Sequence, residues 1–152
     1  MSVRKIPEGQ EGAIPYLCVR DGAAAIDFYK KALGAVESLR MAHEGKIGHA
    51  ELKIGAATIF LADEYPDMGF LSPKALGGTP ITIHLYVEDV DTLFRQATDA
   101  GAKELRPVEN QFYGDRGGQF EDPFGHRWWL ATHVEDLSPD EVALRAKEKY
   151  GS

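Results

Sequence analysis

The sequence predicts an α+β fold built from two βαβββ modules and a C-terminal helix. Three observations carry that prediction. An apolar strand followed by an Asp-capped helix occurs twice; the second half repeats the first at a near-constant offset; and the tail opens on a helix-capping box. The 152 residues are enough for one domain that buries roughly 70% of its unfolded surface without disulfides or structural metal.

Residues 13–19 form the first predicted strand, and Asp21 caps a helix running to about Leu33, where Gly34 takes the left-handed stop. Ile26, Phe28, Tyr29, Ala32 and Leu33 make its buried side. Strands follow near 36–42, 48–54 and 57–62, turned by Gly45 and Gly55, and 64–80 reads as a loop. The second strand of this kind runs from Ile81 to Val87, and Asp89 caps a helix with Val90, Leu93, Phe94 and Ala97 on one stripe, ended by Gly101. Gly34-Ala35 recurs as Gly101-Ala102, 67 residues on, and Gly55 before Leu61-Ala62 recurs as Gly125 before Leu130-Ala131, 69 to 70 residues on. The modules therefore span 13–63 and 81–133 within a domain of residues 1–137, and 138–152 is the tail. Ser138-Pro139-Asp140-Glu141 opens its helix, whose narrow edge of Val142, Ala143, Ala146 and Tyr150 packs either on its own domain or on a second subunit.

Charge and cysteine exclude several functions. The 24 acidic against 17 basic residues disfavour nucleic acid and anionic membranes as partners. Cys18 is the single cysteine, which excludes an intramolecular disulfide and a cysteine-built zinc site. The polar N-terminus lacks a signal-peptide core, and no run approaches the roughly 18 apolar residues of a membrane span, so a cytoplasmic protein is expected.

Alternation sorts each strand into two faces. Ile81, Ile83, Leu85 and Val87 belong to a helix-covered face and Thr82, His84 and Tyr86 to the other; Ala50, Leu52 and Ile54 oppose His49, Glu51 and Lys53; Leu17 and Val19 oppose Tyr16 and Cys18. The second face is either an ordinary wet sheet surface or, in a curled sheet, the wall of a cleft lined by Tyr16, His49, Glu51, Thr82 and His84. Residues 111–130 are rich in aromatics, and Asp122-Pro123-Phe124-Gly125 is a turn joining strands at 117–121 and 126–132. Before it, Tyr113-Gly114-Asp115-Arg116 is either a surface loop with a local ion pair or a clamp in which Arg116 grips an anionic group and Asp115 holds the arginine.

Paired βαβββ modules, the helix Ile26-Asp27-Phe28-Tyr29 ending Ala32-Leu33-Gly34, and Asp122-Pro123-Phe124-Gly125-His126 before the last strand resemble the vicinal oxygen chelate superfamily of glyoxalases, bleomycin-resistance proteins and dioxygenases. Ile14-Pro15-Tyr16-Leu17, His49-Ala50-Glu51-Leu52 and Tyr113-Gly114-Asp115-Arg116 are similar to its PhnB-like subgroup. The resemblance implies a pair of curved mixed-sheet half-barrels and a homodimer. Metal enzymes of that superfamily place His, Glu or Gln on the first and last strands of each module. Here those positions fall at Ile14 or Tyr16, near Ile59, at Thr82 or His84, and at Trp129, so at most one ligand survives where about three are needed. His43, His126 and His133 read as structural.

The expectation is therefore a protein that binds a small, partly aromatic or apolar molecule without a cofactor, as bleomycin-resistance proteins do. Tyr16, His49, Glu51, Thr82, His84, Tyr86, Tyr113, Arg116 and Trp129 are its contacts, with Trp129 as a flat wall. Two alternatives are catalytic. One is a lyase, isomerase or dioxygenase using a metal held by His84, His49 and Glu51; the other is metal-free, with His84 as base and Arg116 stabilising negative charge.

Overall fold

The structure, a computed structural model, describes residues 2–151. Its strands and helices follow the order β1 (Tyr16–Val19), α1 (Gly22–Leu33), β2 (Val36–His43), β3 (Lys46–Ile54), β4 (Ala57–Asp63), α2 (Pro73–Leu76), β5 (Thr82–Tyr86), α3 (Val90–Asp99), β6 (Lys103–Asn110), β7 (Asp115–Glu121), β8 (Arg127–His133) and α4 (Pro139–Tyr150). They form two compact units, one ending at Thr79 but including Phe124–His126, the other holding Pro80–Pro123 and Arg127 onward.

The first unit has one sheet in the order β1-β4-β3-β2, with β1 parallel to β4 and the other pairs antiparallel. β1 is shorter than expected. Pro15 has no N–H to give a ladder, so regular pairing begins at Tyr16, although the Pro15 carbonyl still accepts from Phe60 N–H at 3.0 Å. The Asp21 carboxylate accepts from Ala24 N–H at 3.1 Å, and Gly34, at φ 67°, closes α1 by donating to the Lys30 carbonyl. Ile26 and Tyr29 on α1 pack with Leu52 of β3 and Leu61 of β4 in a fully buried core. A bulge shifts the β2–β3 register: Met41 faces His49, but Ala42 faces Ile47. The inserted residue, Gly48, moves Ile47 into the core while His49, Glu51 and Lys53 stay on the open face.

Residues 64–80 contain more order than a plain loop. Pro66–Met68 form a 3-10 turn, Tyr65 and Phe70 bridge across it, and Ser72 caps α2 through Ala75 N–H. The Asp122-Pro123-Phe124-Gly125 turn sends its tip into this same unit. Phe124 meets the rings of Phe28 and Tyr29 at 6.1 and 6.3 Å, and His126 Nε2 donates to the Cys18 carbonyl at 2.8 Å. Gly125, at φ 92°, has no room for a Cβ, which would sit 2.7 Å from Pro73 Cβ.

The second unit repeats the topology as β5-β8-β7-β6, with β5 parallel to β8. Phe94, Phe120, Trp128 and Leu130 fill its core, and Trp128 lies nearly parallel to Phe120 with 6.4 Å between centroids. Thr132 joins β8 to the start of α3, accepting from Val90 N–H at 3.0 Å and donating to the Val87 carbonyl at 2.8 Å. Ile81 departs from the expected buried set: it precedes β5 and is 66% exposed. β6 carries Pro107, which an edge strand tolerates beside its register shift. In α4, Val142 and Ala146 are half-buried, whereas Ala143 and Tyr150 are exposed. Tyr150 meets Phe112 edge-on at 5.7 Å, and Arg145 pairs with Glu135.

His133 ties the end of β8 to the unit, with Nδ1 2.9 Å from Asp115 and Nε2 2.8 Å from Asp136. Hydrogen bonds to Asp115 and then to Asp136 raise its pKa above the ordinary histidine value. Its contribution to stability is therefore fully present below about pH 6.5 and is lost as pH rises through the raised folded-state value. Thermal melts of wild type and His133→Gln across that range are expected to differ most at the acid end and converge at the alkaline end.

Candidate functional site

The open face of the first sheet brings together three of the expected residues. Tyr16 stands opposite Phe60, and Phe60 opposite Glu51. His49 is two residues from Glu51 on the same strand, so both side chains share this face. Tyr16 Oη lies 2.6 Å from His49 Nδ1, and His49 Nε2 lies 2.8 Å from Glu51 Oε2. Gln10 extends the chain by donating to Glu51 Oε1 at 2.8 Å. Lys53 and Thr58 both donate to the Gly9 carbonyl, at 2.7 and 2.9 Å, and so hold the N-terminal segment on this face. Gln10 has no motif or period that marks it, and sequence reasoning missed it.

A pocket of about 700 Å³ opens beside this chain. Its apolar walls are Tyr16, Ile47, Ala62, Tyr65, Met68 and Phe70, with Lys46, Glu44 and Glu64 among its charged lining. Gly48 also lines it, and a Cβ there would meet only the Met41 carbonyl at 3.7 Å. The bulge thus leaves open space where a side chain would stand. Tyr16 meets Phe60 and Phe70 edge-on at 5.7 and 5.5 Å. Burial, followed by the nearby Glu51 carboxylate, pushes its phenol above the ordinary value, so it stays protonated at neutral pH.

Cys18 is buried in β1, and burial followed by the Glu64 and Asp63 charges pushes its thiol up to about 11, which keeps it unreactive. Ser72 Oγ and N–H both hold Glu64, and the hydroxyl's hydrogen bond is the main cause of that carboxyl's lowered pKa. The walls from 65–70 were legible only as loop composition, and His43, read as structural, also lines the pocket at the end of β2.

Three residue assignments change. The β4 position facing Tyr16 is Phe60; Ile59 points into the core at 2% exposure. Asp115 does not hold Arg116. Adjacent residues of a strand face opposite ways, and Asp115, 3% exposed, accepts from Tyr86 Oη at 2.7 Å and pairs with His133. Arg116 instead makes a two-pronged pair with Asp91 at the start of α3, at 2.8 and 2.9 Å, and reaches Asn110. It is engaged on the helix side of β7, and His84 and Trp129 pair in register on the other face.

The remaining expected contacts lie in the second unit. Thr82 accepts from Gln119 at 3.2 Å, His84 is tilted against Tyr86 with 4.7 Å between centroids, and Tyr113 packs edge-on to Phe112. The bond to Asp115 is the main cause that raises the Tyr86 phenol's pKa. Trp129 lies over Gly117, where a Cβ would come within 2.7 Å of the indole Nε1, and that buried nitrogen has no partner among the described residues.

Donor chemistry in neither unit fits a divalent-metal centre. In the first, His49 and Glu51 are hydrogen-bonded to each other, with Tyr16 and Phe60 at the neighbouring strand positions. In the second, His84 has Trp129 opposite. About three His or carboxylate donors are needed, and among the described residues no three of His, Cys, Asp or Glu group so as to hold an ion. No helix among these residues is long and apolar enough to cross a membrane.

Two βαβββ units with these sheet orders define the class, and comparison with known proteins agrees. A family model of the Glyoxalase/Bleomycin resistance protein/Dioxygenase superfamily matches residues 13–130, and the chain belongs to that superfamily. It is 47% identical over 132 residues to the uncharacterized protein Mb0911c of Mycobacterium bovis, a match covering 84% of this chain and 87% of that one. Among solved structures it resembles TioX from Micromonospora sp. ML1, at TM-score 0.65 and 25% identity over 84% of this chain and 100% of that one. FosX, a genomically encoded fosfomycin resistance protein of Listeria monocytogenes, shares the fold at TM-score 0.61 and 16% identity, over 86% and 96% of the two chains.

Proposed function

We propose that this protein binds a small, partly aromatic or apolar molecule in the pocket of its first unit, without a metal held by the protein, and serves as a carrier or sequestering protein. The pocket carries the reading: about 700 Å³ walled by two tyrosines, a phenylalanine and a methionine is room for a ligand of drug-like size. Aromatic edges and a thioether suit a planar apolar body, and the charged lining suits a polar end. Superfamily membership fits this reading without naming a ligand.

Nile red, neutral and planar, tests it. Its fluorescence is expected to rise on binding the wild-type protein in excess chelator. Gly48→Trp, at a lining position with room for a Cβ, and Phe70→Ala are each expected to weaken binding about tenfold or more. Binding that neither substitution changes would reject this pocket.

A further inference from the structure

The polar chain that ends at Tyr16 has a direction. A carboxylate only accepts, and Glu51 takes one hydrogen bond from the Gln10 amide and another from His49 Nε2. In its neutral form an imidazole that donates to Glu51 carries its proton on Nε2 and has a lone pair at Nδ1. Tyr16 Oη is 2.6 Å from that lone pair, so the phenol spends its one proton on the imidazole. Its oxygen is left with acceptor capacity and no proton to offer. Tyr16 is also the member of the chain that lines the pocket; Gln10, His49 and Glu51 do not.

We propose that the pocket selects an aromatic ligand bearing a hydroxyl group, whose O–H donates to Tyr16 Oη. This rests on the small-molecule reading above and names the ligand class for the same pocket. A ligand presenting a carbonyl at that point would set lone pair against lone pair, and one with only C–H there would displace water from the 46% exposed Tyr16 without replacing its hydrogen bond. Glu51 acts as a positioning residue. It holds the proton on Nε2, which makes Nδ1 the acceptor, which in turn makes Tyr16 an acceptor toward the pocket. Gln10 steadies Glu51 from the N-terminal segment.

Umbelliferone and coumarin differ by a single aromatic hydroxyl, and equilibrium dialysis of each against the full chain tests the proposal. Wild type is expected to bind umbelliferone about tenfold more tightly. Tyr16→Phe keeps the ring and is expected to erase the preference by weakening umbelliferone alone. Glu51→Gln frees the imidazole to carry its proton on Nδ1 and donate to Tyr16, so the preference is expected to be lost and coumarin to bind more tightly than it binds wild type, because both ligands carry a carbonyl that can accept the released phenol proton. A merely structural role for Glu51 would weaken both ligands alike. Nile red binding accompanies each variant as the check that the pocket is formed. Equal affinities in wild type, a preference that survives Tyr16→Phe, or failure of both coumarins to bind while Nile red binds would each overturn the hydroxyl selection and leave the pocket standing. Failure of Nile red itself would overturn the pocket.

Discussion

Trp128→Ala is expected to lower the unfolding free energy by about 3–5 kcal/mol, a large part of the roughly 5–15 kcal/mol that holds a domain folded. Trp128 is 1% exposed and stacks on Phe120, which is fully buried and meets Phe94 at 5.8 Å. Truncating a side chain this buried loses both its transfer free energy and the contacts around the cavity left behind. The indole N–H also donates to Asp122, a 2% exposed carboxylate at the turn before β8, and alanine removes that donor. Trp128→Phe keeps most of the packing and is expected to cost about 1–3 kcal/mol, mainly the hydrogen bond. Urea denaturation followed by circular dichroism measures both, with Trp129 as a fluorescence reporter that survives each change.

Asp63→Ala is expected to cost about 2–4 kcal/mol, because one carboxylate serves two buried amides. Its oxygens accept from Gly22 N–H at 3.0 Å and Ile47 N–H at 2.7 Å. The first amide opens α1, where the helix has N–H groups without internal partners and its dipole favours negative charge. The second belongs to the bulge that turns Ile47 into the core. Asp63 thus ties the helix start to the irregular end of β3, and Gly22 is required beside it because a Cβ would come within 2.7 Å of Ile47. Asp63→Asn is expected to be nearly as damaging, since an amide nitrogen would face one of the two N–H donors. Asp63, Ile47 and Gly48 all line the pocket, so both variants are also expected to weaken Nile red binding. Chemical denaturation and a dye titration on the same samples measure the two effects; a stable Asp63→Ala would contradict the bridging role.

Regular features were legible in the sequence and irregular ones were not. Asp21, Asp89 and Ser138 cap helices as expected because capping depends on a residue and its next three neighbours. Alternation placed Tyr16, His49 and Glu51 on one face because a pleat has a fixed period. Counting failed at Phe60 because register between strands is set by pairing across the sheet, which residue spacing within one strand does not encode. The position of Gly48 depends on three residues of β3, Ile47 to His49, lying against two of β2, Met41 and Ala42, and its sequence shows only a glycine. The pairing of Asp115 with Arg116 was misread for a simpler reason: adjacent residues in a strand face opposite ways, so Arg116 pairs with Asp91 and Asp115 with Tyr86 and His133. The pocket walls at Tyr65, Met68 and Phe70 come from a segment held by one bridge and a 3-10 turn, which has no period to read.

Whether the first unit binds a small apolar molecule without a protein-held metal is decided by one titration. Nile red affinity is measured in excess chelator, then again after the chelator is replaced by manganese, nickel or zinc. The same affinity is expected in every buffer, and weaker affinity in Gly48→Trp. Binding that appears only with metal and disappears in His49→Ala would contradict metal-free binding.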